Sequence, residues 1–584
     1  MKKWFPVFIS LLVVFMFLRC QKEVGFSGGP DAGASITPDP IATSIQGNIW
    51  DENDQPASGV AVTAGTATAI TDANGFFHIS RAVLDKNTTL VTADKIGYYT
   101  GYRVMAATSG CNQIVIKLIK KIMVGKIVAS SGGEVALSNG AKINLPPNSV
   151  VTASSNSAYG GDVDVYATYI NPRSSDIGKI VPGSFIANDK NGKRVTLASY
   201  GMLAVELQSV GGEKLQIKTG SVATLTIPIP SSSISSAPAT IPLWYVNEET
   251  GLWQEEGTAT KQGNNYVGEV KHFSYWNCDY PYDGITLSFI LQTPDGLPLV
   301  NALVEVAPTD STGGMAHGYT DSLGQVKGLV PANKNLAFRV FNSCSNIIYS
   351  QSISALNKNS DLGTIKITAV NSAILTITGT LLDCSSGPVA KGYAILTIDG
   401  TTRYAATDAS GRFTTTYVSC TTLPSSFTVL GVNEEKQQQG SVVTVPVASA
   451  TVDAGSIAVC GVSSEQYMNY MVDNTDSYSI SGSINDSATY GLTQSDSTFI
   501  NATSQSDYIY FSASAKAAGT YPMNSFSISN AKYSSGEMRQ PSNVTFTKFP
   551  ASAGEFYEGS FTSTFTDSSG NHNTTGTFKI RRNQ

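Results

Sequence analysis

The sequence predicts an all-β fold in which several β-sandwich domains follow one another in an elongated, multi-domain chain. At roughly 150 residues per domain, its 584 residues suffice for about four domains. Short alternating runs rich in Val, Ile and Thr, such as 88–93, 222–229 and 394–398, have the period of half-buried strands. Turn residues separate these runs, and helical periodicity is almost absent beyond the N-terminal segment.

The composition excludes two classes of protein. Only 14% of the residues are charged against about 25% in typical soluble proteins, and 38 Lys and Arg against 44 Asp and Glu give a net charge of −6. A nucleic-acid partner is therefore not expected, because the chain has no basic field to hold phosphates. Disorder along the whole length is excluded as well, because 41% hydrophobic residues can form several cores.

The first 20 residues have the pattern of an export signal. Lys2 and Lys3 precede an apolar run over residues 4–18, which is shorter than the ~20 residues of a membrane-spanning helix, and Cys20 follows. This segment resembles a bacterial lipoprotein signal. The resemblance implies that Cys20 carries a lipid such as palmitate and anchors the protein in a Gram-negative outer membrane, facing the exterior. The alternative is an ordinary secretory signal, and residues 21–43 are predicted to be a flexible tether.

Residues 44–118 contain the element Thr71-Asp72-x-x-Gly75-Phe76-Phe77 after an opening strand and a polar turn. Asp72 can cap a turn with its carboxylate, Gly75 can adopt a positive φ, and Phe76 or Phe77 then points into the core. The order of these features resembles the carboxypeptidase regulatory-like domain, a transthyretin-like sandwich. That resemblance implies a module without chemistry of its own, and contact with carbohydrate through a carbohydrate-binding-like fold.

The same element returns twice. Thr320-Asp321 precedes Gly324, and Thr407-Asp408 precedes Gly411 and Phe413. We therefore expect two more regulatory-like sandwiches at 283–370 and 372–460, the first of them the more divergent.

Two further units have a different pattern. Residues 120–280 open on Gly132-Gly133-Glu134-Val135 and close on a segment rich in aromatic residues that ends at Trp276. Both ends resemble the ZU5 domain, an immunoglobulin-like β-sandwich. Residues 461–584 are rich in Ser, Thr, Asn and Tyr and predict a C-terminal β domain with two strands around a turn at 567–571.

His272-Phe273-Ser274 carries the sharpest chemical signal. In some sandwiches similar to ZU5, the serine of this tripeptide attacks the preceding carbonyl while the histidine accepts its proton. Water then hydrolyses the resulting ester, and the chain is cleaved. The resemblance thus implies Ser274 as nucleophile and His272 as base. The alternative is that Phe273 is a core residue of a closing strand, and we expect no enzyme.

The cysteines and polar turns predict no metal and no cofactor. Six cysteines follow Cys20 without the close spacing of metal ligands, and an even number in an exported chain favours disulfides. Cys384 with Cys420 is the expected pair because both fall inside one predicted domain, although four cysteines allow three pairings. The acidic turns 51–54 and 188–192 lack the spacing of a calcium loop.

Two tyrosine clusters, at 98–102 and 275–282, are candidates for stacking against sugar rings, with core packing as the alternative. Together, these features predict a surface-exposed outer-membrane lipoprotein that acts as a non-catalytic binding or scaffold module, with glycans or another envelope protein as partners. The alternatives are a self-cleaving stalk and a purely structural partner of an outer-membrane transport complex.

Overall fold

The structure is a computed structural model that describes residues 38–582 except 73, 311–313, 436–437, 461–465, 474, 483–489, 495, 504–506, 535–536 and 552–555. The described residues form 43 strands, one short α-helix and two short 3₁₀ helices. The prediction of an all-β chain of tandem sandwiches is therefore confirmed. Cys20 and most of the predicted tether lie outside the described residues.

The first unit consists of two packed sheets. One sheet has the order β4-β1-β7, with β1 and β7 parallel, and the other has the order β3-β2-β5-β6. β1 pairs with β4 from Pro40 onward, so the last residues of the segment 21–43, expected to be a tether, form part of this sheet. The strands are β1 Pro40–Trp50, β2 Ala61–Ala64, β3 Ala67–Ile70, β4 Phe76–Asp85, β5 Thr89–Asp94, β6 Gly101–Met105 and β7 Asn112–Lys117.

The second unit hydrogen-bonds into one extended network around a core that includes Trp276 and Cys278. A second cluster, which contains Trp244 and Trp253, packs beneath the first unit and takes in Tyr99 and Tyr102 from it. The elements of this unit are β8 Met123–Val128, β9 Gly133–Ala136, β10 Lys142–Leu145, β11 Val150–Thr152, β12 Asp162–Ile170, α1 Ile177–Ile180, the 3₁₀ turn Pro182–Phe185, β13 Ile186–Asn188, β14 Arg194–Ser209, β15 Lys214–Ile217, β16 Ala223–Pro228, the 3₁₀ turn Ser231–Ser233, β17 Thr240–Val246, β18 Trp253–Gln262 and β19 Asn265–Val270.

One long strand, β20 Tyr275–Gln292, joins the second unit to the third. Its first half pairs with β14 and β17, and its second half pairs with strands of the third unit. A boundary between domains is expected at residues 280–283, but the strand is not interrupted there. Its pairing with β14 extends to Asp283, and its pairing with β23 begins at Gly284. The other strands of the third unit are β21 Leu303–Pro308, β22 Ala316–Tyr319, β23 Gln325–Pro331, β24 Leu336–Phe341, β25 Ile347–Ile353 and β26 Ser360–Lys366.

The fourth unit repeats the plan of the first, with the sheets β30-β27-β34 and β29-β28-β31-β32 and a parallel pair between β27 and β34. Phe413 and Phe427 lie in its core. Its strands are β27 Ile374–Leu382, β28 Gly392–Ile398, β29 Thr401–Ala406, β30 Arg412–Val418, β31 Ser426–Asn433, β32 Gln438–Gln439, β33 Val443–Pro446 and β34 Thr451–Ala458.

The fifth unit is a single antiparallel sheet in the order β36-β35-β43-β42-β41-β40-β39-β38-β37. Aromatic residues that include Phe511, Phe561 and Phe578 fill its buried side. The predicted hairpin at 567–571 is present, with Asp567 paired to Gly570. Its strands are β35 Gln466–Val472, β36 Asp476–Gly482, β37 Tyr490–Gln494, β38 Ser497–Thr503, β39 Tyr508–Ala513, β40 Gly519–Ser529, β41 Glu537–Lys548, β42 Phe556–Asp567 and β43 Gly570–Arg581.

The repeated Thr-Asp-x-x-Gly element folds in the same way three times. Asp72, Asp321 and Asp408 each accept two backbone N–H bonds, from the residues two and four positions later, at 2.7–3.0 Å. The glycine three positions on has a positive φ in each case, as the sequence predicts. The first, third and fourth units are therefore copies of one sandwich design.

The first unit contacts each of the other four. Phe76, one of two candidate core residues, instead stacks on Tyr404 of the fourth unit with ring centroids 4.6 Å apart, whereas Phe77 enters the core of the first unit. Hydrogen bonds to all four neighbours run from Tyr275 Oη to Thr100 O (3.0 Å), from Gly110 N to Asp321 Oδ2 (2.9 Å), from Ala406 N to Gln46 Oε1 (2.9 Å) and from Asn469 Nδ2 to Ser58 O (3.2 Å).

Candidate functional site

A cavity of about 340 Å³ lies where the first, second and third units meet, and we call it the central cavity. Its volume is in the range of small-molecule sites. Polar side chains from all three units line it: Arg103 and Gln113 from the first, Asp176 and Lys179 from the second, and Glu305 and His317 from the third.

A strained turn of the second unit holds Arg103 at the cavity wall. Ser184 has a φ of 58°, which is uncommon for a residue with a Cβ atom. Its Oγ accepts 3.3 Å hydrogen bonds from Arg103 Nη1 and from the backbone N–H of Val104 on β6. Strain of this kind persists where the surrounding structure requires it, and it clusters at binding sites.

The carboxylates of the central cavity are already paired with cations. Glu305 lies 3.3 Å from His317 Nε2 and also bonds Arg339, and these partners hold the pKa of its carboxyl below the usual range despite its burial. Asp176 lies 2.9 Å from Lys117 Nζ, and its pKa is lowered because bonds from Lys117 and Lys179 outweigh desolvation. Neither carboxylate is left to balance a further positive charge.

Among the described residues, Arg103 has no carboxylate partner. Its residue is only 8% exposed, and besides Ser184 it bonds only the carbonyl oxygen of Val115, at 3.3 Å. Burial lowers the pKa of its guanidinium to about 10. The described residues thus place a desolvated, uncompensated cation at the edge of a ligand-sized cavity.

Among the described contacts, the two polar side chains of the predicted self-cleaving tripeptide have partners other than each other. The ring of His272 packs between Tyr245 and Trp276, with centroids 4.5 and 5.1 Å away, and Ser274 Oγ donates to the carbonyl of Tyr275 at 3.1 Å. Burial lowers the pKa of His272. Phe273 is buried, as its core interpretation requires, and no bond joins His272 to Ser274 among the described contacts.

One feature near the tripeptide would suit such chemistry. Gln216 Nε2 donates to the carbonyl oxygen of Phe273 at 3.1 Å, while its Oε1 accepts from the Phe273 N–H at 2.6 Å. A donor on this carbonyl would stabilise an oxyanion. The alternative is structural: the Gln216 amide bonds the N–H and the carbonyl of Phe273 as a neighbouring strand would, and so holds this backbone in place.

The two tyrosine clusters differ in their exposure to solvent. Tyr98, Tyr99 and Tyr102 are buried, so they cannot receive a sugar ring in this structure. Tyr280 is 46% exposed and forms a pair with the half-buried Tyr282, with ring centroids 5.1 Å apart. This pair is the part of the clusters that reaches solvent as an aromatic surface.

The disulfide predicted between Cys384 and Cys420 is wrong in the structure, which pairs Cys420 with Cys344 of the third unit. Cys420 follows β30 beside the start of β27, because Ser419 N bonds Ala373 O. Cys384 lies beyond the other end of β27. Nine residues of strand span about 30 Å, far beyond the ~5.5 Å between the Cα atoms of a disulfide.

The remaining polar features add no metal site. The carboxylates of Asp51 and Asp189 accept backbone N–H bonds at 2.8–2.9 Å and so cap their own turns. Within residues 38–582, apart from the gaps noted above, no group of three or more His, Cys, Asp or Glu side chains could hold a metal ion. In the same part of the chain, no helix is long and apolar enough to cross a membrane.

Sequence reasoning missed the central cavity. Arg103, Ser184 and Glu305 are far apart in the sequence and belong to three units, so no local motif links them. One local signal existed, because Arg103 stands between the apolar-bodied Tyr102 and Val104, and an arginine is rarely buried.

The fold and the cavity define a protein of several β-sandwich units that contact one another around a shared polar site. No family model matches the chain. It is 29% identical to human cartilage intermediate layer protein 2 over 107 residues. The aligned segment covers 18% of this chain and 9% of the human protein. The mouse protein of the same name is 27% identical over 155 residues, which covers 25% of this chain and 13% of that one.

The chain therefore spans about a tenth of the length of the curated relatives it matches. Among solved structures, the shaft pilin SpaA of Lactobacillus rhamnosus GG is similar at 11% identity with a TM-score of 0.17. That match covers 30% of this chain and 97% of the pilin. Because this TM-score is low, the assignment of the sandwich fold depends on the strand pairing described above.

Proposed function

We propose that the protein is an exported lipoprotein of the outer membrane, anchored through Cys20 and exposed at the surface, that binds polysaccharide as a non-catalytic scaffold. The observation that carries this proposal is the central cavity, whose wall is built by three units at once. A site built by three units requires that they keep fixed positions relative to one another. The continuous strand β20 helps to meet this requirement, because it pairs with strands of both the second and the third unit.

The contacts of the first unit support the same requirement. Its strand β4 bears His78, whose Nδ1 lies 3.0 Å from Glu434 of the fourth unit. Although burial opposes the charge, hydrogen bonds from the ring to Cys111 and Glu434 raise the pKa of His78 to about 10, so the pair is ionic at neutral pH. The units are thus joined by charged and polar bonds as well as by apolar packing.

A binding screen tests the proposal directly. The purified chain is applied to an array of neutral and acidic polysaccharides, and we expect saturable binding to at least one of them. The variant Tyr280→Ala separates the two candidate surfaces, because it removes the exposed aromatic pair and leaves the central cavity unchanged. Absence of binding to every polysaccharide would favour a purely structural partner of an envelope complex.

The anchor is tested separately by Cys20→Ala. We expect this variant to leave the membrane fraction for the soluble envelope fraction, because the thioether to the lipid cannot form. A variant that stays in the membrane fraction would contradict the lipoprotein part of the proposal. Accessibility of the wild-type protein to protease on intact cells tests its outward orientation.

A further inference from the structure

Two arginines near Tyr319 lack an acidic partner. In the described part of the chain, Arg103 on β6 bonds a hydroxyl and a carbonyl oxygen and no carboxylate. Arg403 on β29 lies with its guanidinium 5.9 Å from the ring centroid of Tyr417, and its buried Nε has no hydrogen-bond partner among the described residues. No described carboxylate forms an ion pair with either side chain, whereas the partly buried cations Lys117, Lys121 and Arg339 each have one.

Burial makes these charges unfavourable in the unliganded protein. It lowers the pKa of Arg403 as it lowers that of Arg103, and Tyr319 is the neighbour common to both. A desolvated cation without a counter-charge is among the most destabilising groups that a fold can hold. Its presence therefore calls for an anion that the described chain does not supply.

The two arginines line adjoining cavities. Arg103 lines the central cavity, and Arg403 lines a small cavity of about 40 Å³. Leu303, Tyr319 and Phe341 form part of the wall of both. A ligand in the central cavity would thus meet one arginine directly and lie one side chain away from the second.

Lys327 adds a second cation without a described carboxylate partner to the central cavity, beside Arg103. Its Nζ donates to the carbonyl of Lys86 at 2.8 Å and to Asn87 Oδ1 at 3.5 Å, and it pairs with no described carboxylate. Because the cavity carboxylates Glu305 and Asp176 are already neutralised by their own cations, the balance of the cavity is positive. This balance is opposite in sign to the net charge of the whole chain.

We propose that the central cavity binds an anionic group, a carboxylate or a sulfate, carried by an acidic polysaccharide, with Arg103 and Lys327 as its direct ligands. This inference rests on the proposed function and specifies the class of polysaccharide. A planar guanidinium can offer two parallel N–H donors to such a group, and charge-assisted bonds of this kind are stronger than neutral ones. Arg403 does not touch the anion and contributes the electrostatic field of its positive charge from the other side of Tyr319.

Titration calorimetry of the full chain tests the inference with matched probes. A hexamer of galacturonic acid is compared with its full methyl ester, and a sulfated dextran oligosaccharide is compared with plain dextran. We expect the charged member of one pair to bind at least tenfold more tightly than its neutral partner, and to weaken as salt is raised. The pair that shows this difference identifies the group as carboxylate or as sulfate.

Variants locate the bound anion. Arg103→Gln and Lys327→Gln should each weaken the charged probe by about tenfold or more, since each removes a charge-assisted bond. Arg539→Gln, on the exposed side of the fifth unit, is the matched control and should bind as the wild type does. Arg103→Gln should also unfold at the same temperature as the unliganded wild type or higher, which a purely structural arginine would not allow.

Two results would overturn the inference. Equal binding of the acid and its ester, with Arg103→Gln and Lys327→Gln unaffected, would leave polysaccharide binding intact and exclude the anion site. Failure of every probe to bind, together with a negative array, would remove the proposed function itself and the inference with it.

Discussion

At the scale of single residues, hydrogen bonds fix the backbone around Phe273 on both sides. Gln216 holds its N–H and its carbonyl at once, and Val205 N donates to the carbonyl of Ser274 at 3.1 Å. A serine that attacks the preceding carbonyl must have a base within hydrogen-bond reach. Here the hydroxyl of Ser274 is directed to the carbonyl of Tyr275 instead.

We therefore predict that the purified chain stays in one piece. A denaturing gel followed by intact-mass measurement should show no fragment that begins at Ser274 and should give the same pattern for Ser274→Ala. A fragment with Ser274 at its N-terminus that disappears in Ser274→Ala would establish self-cleavage. Loss of the same fragment in Gln216→Ala would then assign Gln216 as the oxyanion donor.

His572 makes the stability of the fifth unit depend on pH. Its Nδ1 lies 2.6 Å from Asp473 and its Nε2 lies 3.0 Å from Asp567, and these bonds raise its pKa although burial opposes the charge. A group whose folded pKa is raised stabilises the fold fully below its unfolded pKa of about 6.5. That contribution is lost as the pH rises through the folded value.

His572→Gln should accordingly lower the free energy of unfolding by roughly 1 kcal/mol at pH 6 and by less at pH 9. Urea unfolding at the two pH values measures the difference. His272→Gln is the matched control with the opposite sign, because burial lowers the pKa of His272 and its contribution is lost as the pH falls. Equal losses for His572→Gln at both pH values would contradict the charged pairing.

Sequence reasoning at this scale succeeds where the bonding is local. The carboxylate of Asp72 bonds within four residues, and the positive φ of Gly75 belongs to the same turn, so a short motif suffices to predict both. Phe76 shows the limit. Its position after the turn predicts a buried side chain, but the sequence holds no local information that its partner is Tyr404 of another unit.

At the scale of structural elements, the repeated turns provide an internal comparison. Asp321 and Asp408 make the same two turn bonds, but Asp321 is 1% exposed and its second oxygen also accepts the buried N–H of Gly110 in the first unit. Asp408 is exposed and has no such extra bond among the described contacts. The two aspartates therefore differ in one hydrogen bond to a neighbouring unit.

Asp408→Ala should cost about 1 kcal/mol of stability, as the loss of a turn-capping side chain does, whereas Asp321→Ala should cost roughly 2–4 kcal/mol. The larger cost arises because the N–H of Gly110 is then buried without a partner. Chemical unfolding of both variants checks the difference. Asp321→Asn keeps an acceptor for the turn and should fall between them, and equal costs for the two alanine variants would show that the Gly110 bond contributes nothing.

The strand β20 shows what the sequence hides at the element scale. Pro281, Asp283 and Gly284 are typical of a linker, and a proline removes one backbone donor from a sheet. The strand nevertheless continues, because its partners change along its length from the second unit to the third. Which partners are available depends on packing between units, and the local residue pattern does not carry that information.

At the scale of the whole molecule, the class of fold was predictable and the arrangement of the units was not. Each sandwich follows from alternation and turn residues within its own segment. The central cavity depends on where the second and third units dock on the first, which involves side chains such as Ser184 and Tyr275 that have no pattern in common. The binding site could for this reason be found only from the assembled units.

The disulfide between Cys344 and Cys420 should couple the unfolding of the third and fourth units. It joins a turn between β24 and β25 to the segment after β30 and closes a loop with a sequence separation of 76 residues. Restricting a loop of that length in the unfolded chain is worth roughly 4–5 kcal/mol in the chain-entropy treatment. Cys344→Ser should therefore lower the melting transition of these two units in calorimetry and leave that of the fifth unit unchanged.

Cys384→Ser is the matched control, because Cys384 is exposed and outside the disulfide in the structure. It should melt as the wild type does, and non-reducing peptide mapping of the wild type should recover the peptides of Cys344 and Cys420 joined. If Cys384→Ser is instead the destabilised variant and Cys344→Ser is silent, the bond lies within the fourth unit. The third and fourth units would then be joined without a covalent link, and their relative placement would depend on packing alone.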